Sequence, residues 1–210
     1  MAEVLDVDHR PPDPTRPLVC LDEPSQQRTK AGRLSLPPLP GAPTRCDPAD
    51  ERHGVANLFL LSAPPLGWRH VKVTPQRTKR DWAHLIQALG DVHFPTAERI
   101  ILGLDNLNPH PPAVLDEALA PAEATRLWDK LEIHYPPKHG RWLNMAEIEL
   151  SALGRHCLDQ RIPDQVALTE EVVAWEEERN AAHVTVNWQF TAADARIKLK
   201  HLYPIREPAK

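Results

Sequence analysis

Arg99-Ile-Ile-Leu-Gly-Leu-Asp105 is an apolar run of strand length that ends in a carboxylate. A near-continuous run of this kind, β-branched at its start, reads as a strand buried on both faces, at the centre of a sheet with helices on each side. Working outward, Leu18-Val-Cys-Leu21 is a second short apolar run, and it also ends in an acid, Asp22. Ala56-Asn-Leu-Phe-Leu-Leu-Ser-Ala63 is a third run. Arg69-His-Val-Lys-Val-Thr74 and Leu131-Glu-Ile-His-Tyr135 alternate like strands with one solvated face. Pro64-Pro-Leu-Gly67 reads as a hairpin connection between two of these strands. The stretch from Glu23 to Glu51 is poor in apolar residues and crowded with proline, and reads as a long irregular excursion.

Helical spacing fills the intervals. Thr78 is a candidate N-cap before Trp82, Leu85, Ile86 and Leu89, and Gly90 ends that pattern. Shorter helical pieces are expected at 114–119 and 123–131, and longer ones at 143–160, 168–182 and 192–202. Strands in direct succession form an antiparallel meander, whereas strand-helix-strand units require parallel pairing through right-handed crossovers. The order therefore predicts an α/β fold: a mixed five-stranded sheet, its first three strands antiparallel, with helices on both faces. The expected organisation is an N-terminal arm (1–17), a domain over 18–165, and a C-terminal helical extension (166–210) packed on that domain.

Composition narrows the function. The chain has 210 residues, a formal net charge of −4, 41% hydrophobic and 26% charged residues, ordinary for a globular domain. No apolar run approaches the ~18 residues of a membrane span, and the acidic N-terminus is no signal peptide. Cys20, Cys46 and Cys157 form no CxxC pair, which argues against a zinc ribbon or disulfide framework and for a reducing, cytoplasmic setting. Glycine is scarce (8 residues), and neither phosphate-cradling glycine motif occurs. The acidic balance argues against a simple basic nucleic-acid coat and leaves room for a DNA enzyme whose acids hold metal ions.

Asp22 and Asp105 both sit where strands end, and ligands of open α/β sheets collect beyond the carboxyl ends of the strands. Glu147 lies early in the helix after the fifth strand. Three carboxylates from separate segments form an oxygen-rich site for two hard cations, Mg²⁺ or Mn²⁺ rather than Zn²⁺. Paired ions of that kind serve phosphodiester chemistry. Taken singly, an Asp at a strand end is more often a turn former, so the case rests on the three together. Glu149 competes with Glu147, because the two lie on opposite edges of the helix's apolar stripe of Leu143, Leu150, Leu153 and Cys157, and periodicity does not choose between them.

The segments Val19-Cys-Leu-Asp-Glu23, Ala56-Asn-Leu-Phe59, Gly67-Trp-Arg-His-Val-Lys-Val-Thr74, Asp105-Asn-Leu-Asn108, Tyr135-Pro-Pro-Lys-His-Gly-Arg-Trp-Leu-Asn-Met-Ala-Glu147 and Asn187-Trp-Gln-Phe190 closely resemble bacterial transposases. The group is the insertion sequence 630 branch of the Tc/mariner superfamily, and the resemblance runs from about Val4 to Pro204. It implies an RNase H-like catalytic domain with an Asp-Asp-Glu triad, here Asp22, Asp105 and Glu147, the last chosen by the family's Leu-Asn-x-x-Glu pattern. It further implies cleavage of transposon ends and joining to TA-containing target DNA, in a dimeric complex. Relatives commonly carry Asn-Thr-His after the second Asp, where this chain has Asn108-Pro109-His110. They also have an upstream helix-turn-helix that reads DNA. The chain is thus expected to be the catalytic part of a split protein, or a truncated remnant. The rival readings are an idle fragment that only binds DNA or partner subunits, and a Mg²⁺-dependent phosphatase on another α/β fold.

A polyanion brought to an acidic pocket needs cations around it. Arg77, Lys79 and Arg80 form a basic turn at a helix start, where they oppose the helix dipole and invite a phosphate. Lys138, His139 and Arg141 lie just before Glu147. His110 is a further candidate, Trp142 a stacking or core residue, and Lys198, Lys200, His201 and Arg206 a basic tail. His156 and Cys157 are neighbours on a helix, diverge by about 100°, and make no dyad.

Overall fold

The computed structural model describes Val7 and residues 10–31, 50–104, 111–135, 145–187 and 189–198. Its centre is β1 (Leu18–Asp22), the run that ends in the first acid. Next come β2 (Ser25–Ala31), β3 (Asp50–Ala63) and β4 (Trp68–Thr74). β1 and β2 lie along the same side of β3 in one unbroken antiparallel register, Asp22 opposite Leu60 and Ser25 opposite Asn57. They are one strand interrupted at Glu23-Pro24, and the register shifts only beyond Gln27. The irregular excursion expected from Glu23 therefore opens with a strand. Ser-Gln-Gln-Arg-Thr-Lys-Ala has no apolar periodicity, and backbone pairing to β3 holds it where burial would not. Among the described residues the sheet accordingly has six strands, where five were expected.

β4 flanks β3 on its other side, Asn57 opposite Thr74 through Ala63 opposite Trp68. The hairpin predicted at Pro64–Gly67 is a single 3₁₀ turn closed by Gly67 at φ 61°. A Cβ on Gly67 would stand 2.8 Å from the His183 backbone carbonyl carbon, so both the conformation and the space demand glycine. On the far side of β1, β5 (Ile100–Leu104) pairs in parallel, and β6 (Leu131–His134) pairs in parallel with β5. The antiparallel meander followed by parallel crossovers matches the expected mixed sheet.

Alternation divides the core into two layers. Val19, Leu21, Phe59, Leu61, Leu102 and Leu104 share one face with Trp82, Leu85 and Ile86 of α1 (Lys79–Ala88). That layer is completed by α2 (Ala113–Asp116) and α3 (Pro121–Asp129), through Val114, Leu115 and Leu127. Cys20, Leu58, Leu60 and Val71 share the other face with α4 (Ala146–Leu153) and α5 (Gln165–Ala181), through Leu153, Leu168, Val172 and Trp175. Burying each such Leu or Phe contributes about 1.5–3 kcal/mol of transfer free energy. Where one helix was expected over 143–160, α4 gives way at Gly154 to a wider π turn through Leu158. α5 starts three residues earlier than its apolar pattern, because Asp164 caps it by accepting from the Ala167 N–H at 2.9 Å. Among the described residues a further helix, α6, spans Ala192–Lys198.

Candidate active site

Asp22 closes β1 with only 7% of its surface exposed. The Glu23 N–H donates to its Oδ1 at 2.7 Å. Its side chain shares a sheet face with Cys20, two residues back, and Cys20 packs in the layer covered by α4 and α5. Glu147 stands in the first turn of α4, half-buried. The fold thus sets Asp22 and Glu147 on the same side of the sheet, one from a strand end and one from the helix laid over that strand. Asp105 lies outside the described residues, as do His110, Lys138, His139, Arg141, Trp142, Lys200, His201 and Arg206. The strand that precedes Asp105 runs parallel to β1, with Leu104 opposite Leu21, so each predicted Asp follows a residue of one matched pair.

Glu149 occupies quite different surroundings. It is 1% exposed. Arg179 grips it with a fork, Nη2 to Oε1 at 3.1 Å and Nε to Oε2 at 3.2 Å. The equally buried Arg69 brings its Nε to 3.3 Å from Oε2, an ion pair not aligned as a hydrogen bond. Burial pulls the Arg69 guanidinium below its ordinary pKa, and Glu149 opposes that pull. The carboxylate that rivalled Glu147 is therefore enclosed by two guanidiniums. The sequence raises Glu149 only as a rival ligand and gives no sign of its two arginine partners. Arg69 sits at a polar position of an alternating strand, and its partner is 80 positions away, with nothing local to announce it.

The basic turn divides. Arg77 Nη1 donates to the Glu23 carbonyl at 2.8 Å, with its Nε 3.6 Å from the Glu23 carboxylate, so this guanidinium stands one residue from Asp22. Lys79 pairs with Glu117 at 2.9 Å, both exposed, and Arg80 is exposed on α1. The dipole argument for a phosphate at this helix start loses its force, because Thr78 and Asp81 form a capping box and Asp81 already supplies the negative charge. Lys198 at the start of the expected tail lies over the Phe190 ring, 5.6 Å from its centroid. Burial, foremost, pushes the Cys157 thiol up to about 11, which leaves it no nucleophile at neutral pH.

Asp22 and Glu147 present hard oxygen donors, the chemistry that suits Mg²⁺ or Mn²⁺. Among the described residues no three His, Cys, Asp or Glu are grouped to hold a metal ion, and only two of the three predicted ligands are among them. Among the same residues, no helix is long and apolar enough to cross a membrane.

The sequence model of a family described as DDE superfamily endonuclease matches residues 17–169. Among curated proteins, none matches the chain. The fold is similar to the crystal structure of the Mos1 mariner paired end complex with Mn, at TM-score 0.53 and 17% identity, over 87% of this chain and 55% of that one. It is equally similar to the Mos1 transposase paired-end complex with left transposon end, at TM-score 0.53 and 17% identity, over 81% of this chain and 52% of that one. The chain spans about half the length of these solved chains.

Proposed function

The chain belongs to the DDE superfamily endonucleases, and from that premise we propose that it is the catalytic domain of a transposase of the insertion sequence 630 type. In this reading it cuts transposon-end DNA and transfers the freed strand to TA-containing target DNA. The catalytic carboxylates are Asp22, Asp105 and Glu147, which hold two Mg²⁺ or Mn²⁺ ions. The observation that carries the reading is the placement of Asp22, buried at the carboxyl end of a central strand on the sheet face that α4 covers. The enclosure of Glu149 by Arg69 and Arg179 supports Glu147 as the third ligand.

Divalent ions, when held there, supply the charge that activates the attacking oxygen and offsets the charge on the leaving one. The chain's own residues provide the frame. The pairing of β1 with β5 fixes the spacing of the two strand ends. The Glu23 N–H orients one oxygen of Asp22. Arg77, tied to Glu23, adds positive charge where a phosphodiester approaches two acids. Water attacks first, and the released 3′-hydroxyl then attacks the target in line, with no covalent link to the protein. The partners are DNA, a second subunit and an upstream helix-turn-helix polypeptide, and the setting is the bacterial cytoplasm.

The test is nicking of a terminal-repeat duplex with Mg²⁺ or Mn²⁺, with the DNA-reading polypeptide supplied. Asp22→Asn, Asp105→Asn and Glu147→Gln should each abolish nicking. Nicking that survives Asp22→Asn would sink the assignment. A wild-type chain that binds DNA but never nicks it would establish the binding-module alternative instead.

A further inference from the structure

α4 is short, and its inward residues, Ala146, Glu149, Ala152 and Leu153, include two alanines. Two such methyl groups allow a helix to roll about its axis or slide along it, since they interlock with little. Among these inward side chains Glu149 carries charge, and it is held at three points by Arg69 and Arg179. Arg69 is itself fixed, because its Nη2 donates to the Val184 carbonyl and its Nη1 to Asn180 Oδ1 at 3.4 Å. Arg179 is further steadied by lying over Trp175, 5.3 Å from the ring centroid.

A buried ion pair is a poor device for stability alone. Desolvation consumes most of what the charges return, and apolar residues of similar size often serve as well or better. What such a group does supply is direction. Residues two apart on a helix point about 200° apart, so locking Glu149 inward sets where Glu147 stands.

Resting on the reading of Glu147 as a metal ligand, we infer that Arg69, Glu149 and Arg179 are positioning residues that hold α4 in the rotation that presents Glu147 to the site. Arg179 lies on α5, beyond the segment matched by the family model. On this view α5 is part of the catalytic apparatus.

The experiment is Mn²⁺ binding by electron paramagnetic resonance, alongside thermal unfolding, on the 210-residue chain. The variants are Asp22→Asn, Glu147→Gln and the all-apolar Arg69→Met/Glu149→Leu/Arg179→Met. The apolar variant leaves no orphaned charge, so it should unfold within a few degrees of wild type while binding Mn²⁺ at least tenfold more weakly, as Glu147→Gln does. Wild-type Mn²⁺ affinity in a folded apolar variant would overturn the inference and leave the metal site standing. If neither Asp22→Asn nor Glu147→Gln weakens Mn²⁺, the metal-site reading itself fails, and this inference with it. Should the apolar variant not fold, Arg179→Lys decides, since it keeps the charge but loses the fork. Weaker Mn²⁺ binding at an unchanged melting temperature supports the inference, and unchanged binding overturns it.

Discussion

Asn180 binds both backbone polar groups of Arg69, accepting from its N–H at 2.9 Å and donating to its carbonyl at 2.8 Å. A helix side chain here does what a neighbouring strand would do, and it does so on the outer edge of the sheet. Glu176, one turn earlier on α5, accepts from the Val71 N–H at 2.8 Å and continues the substitution. Covering an edge in this way removes a template for unwanted strand pairing. Asn180→Ala strips both partners from a part-buried peptide and should cost about 1–3 kcal/mol. Asn180→Asp keeps the acceptor and loses the donor, so it should cost less. Urea unfolding of the two variants checks the order.

The two glutamates of α4 should separate by stability before any assay of activity. Glu149→Gln leaves Arg69 buried without its counter-charge, and removing one partner of a buried pair costs about 3–5 kcal/mol. Glu147→Gln touches a half-buried position at the helix start and should change stability by less than about 1 kcal/mol. Chemical denaturation distinguishes them, and equal losses would contradict the placement of Glu149.

The contrast between these residues shows what one sequence discloses. β1 and β5 were legible because their burial on both faces leaves an unbroken apolar run, and the acids that end them fell out of the same reading. β2 was illegible because Ser25–Ala31 is held by backbone hydrogen bonds, which any sequence can make. The Glu149 group was illegible for another reason. A buried Arg in a strand and a buried Glu in a helix look like surface residues until the fold brings them within 3.3 Å. Choosing Glu147 took a family pattern that periodicity could not supply.

Glu132 ties Arg10 and Arg16 to β6. Its carboxylate pairs with His134 at 3.1 Å, Arg10 at 3.0 Å and Arg16 at 2.6 Å, and these partners, His134 first, lower its pKa from 4.5 to about 2. A depressed carboxylate contributes stability above its unfolded pKa and loses it as pH falls through the folded one. The stability gap between wild type and Glu132→Gln should therefore be constant above about pH 5 and shrink from about pH 4.5 towards 2. Solvent screening of the two half-exposed arginines keeps the gap small. Unfolding curves at stepped acid pH measure it.

His93 carries the opposite kind of group into the near-neutral range. Its ring lies tilted against His70, centroids 4.6 Å apart, and against Trp68 at 5.0 Å. Burial, and then the neighbouring His70, lowers its pKa from 6.5, against the weaker pull of Glu176. The unfolded chain then binds the proton more readily than the folded one, so stability is full above pH 6.5 and declines as pH falls below it. His93→Phe keeps the ring contact and removes the proton site, and should flatten the fall in melting temperature between pH 7 and 5. An unchanged slope would mean that His93 does not carry it.

DNA binding by the chain alone should be weak, blind to sequence and steep in salt. With a net charge of −4, the basic groups near the site can neutralise only a few phosphates, and phosphate contacts position a duplex without reading it. The described cations are unequal in this. Lys79 is partly neutralised by Glu117 and Arg77 by Glu23, whereas Arg80 is exposed on α1. Arg80→Ala should therefore reduce the slope of log affinity against log salt by about 1, and Lys79→Ala by less. On the proposed function, adding a helix-turn-helix polypeptide, fused or in trans, should raise affinity and confer preference for transposon ends, because tethering makes the second contact intramolecular. Gel shifts on terminal-repeat and scrambled duplexes over several salt concentrations measure both effects. Tight, end-selective binding by the 210 residues alone would place end recognition inside the catalytic domain and refute the division of labour between reading and cutting.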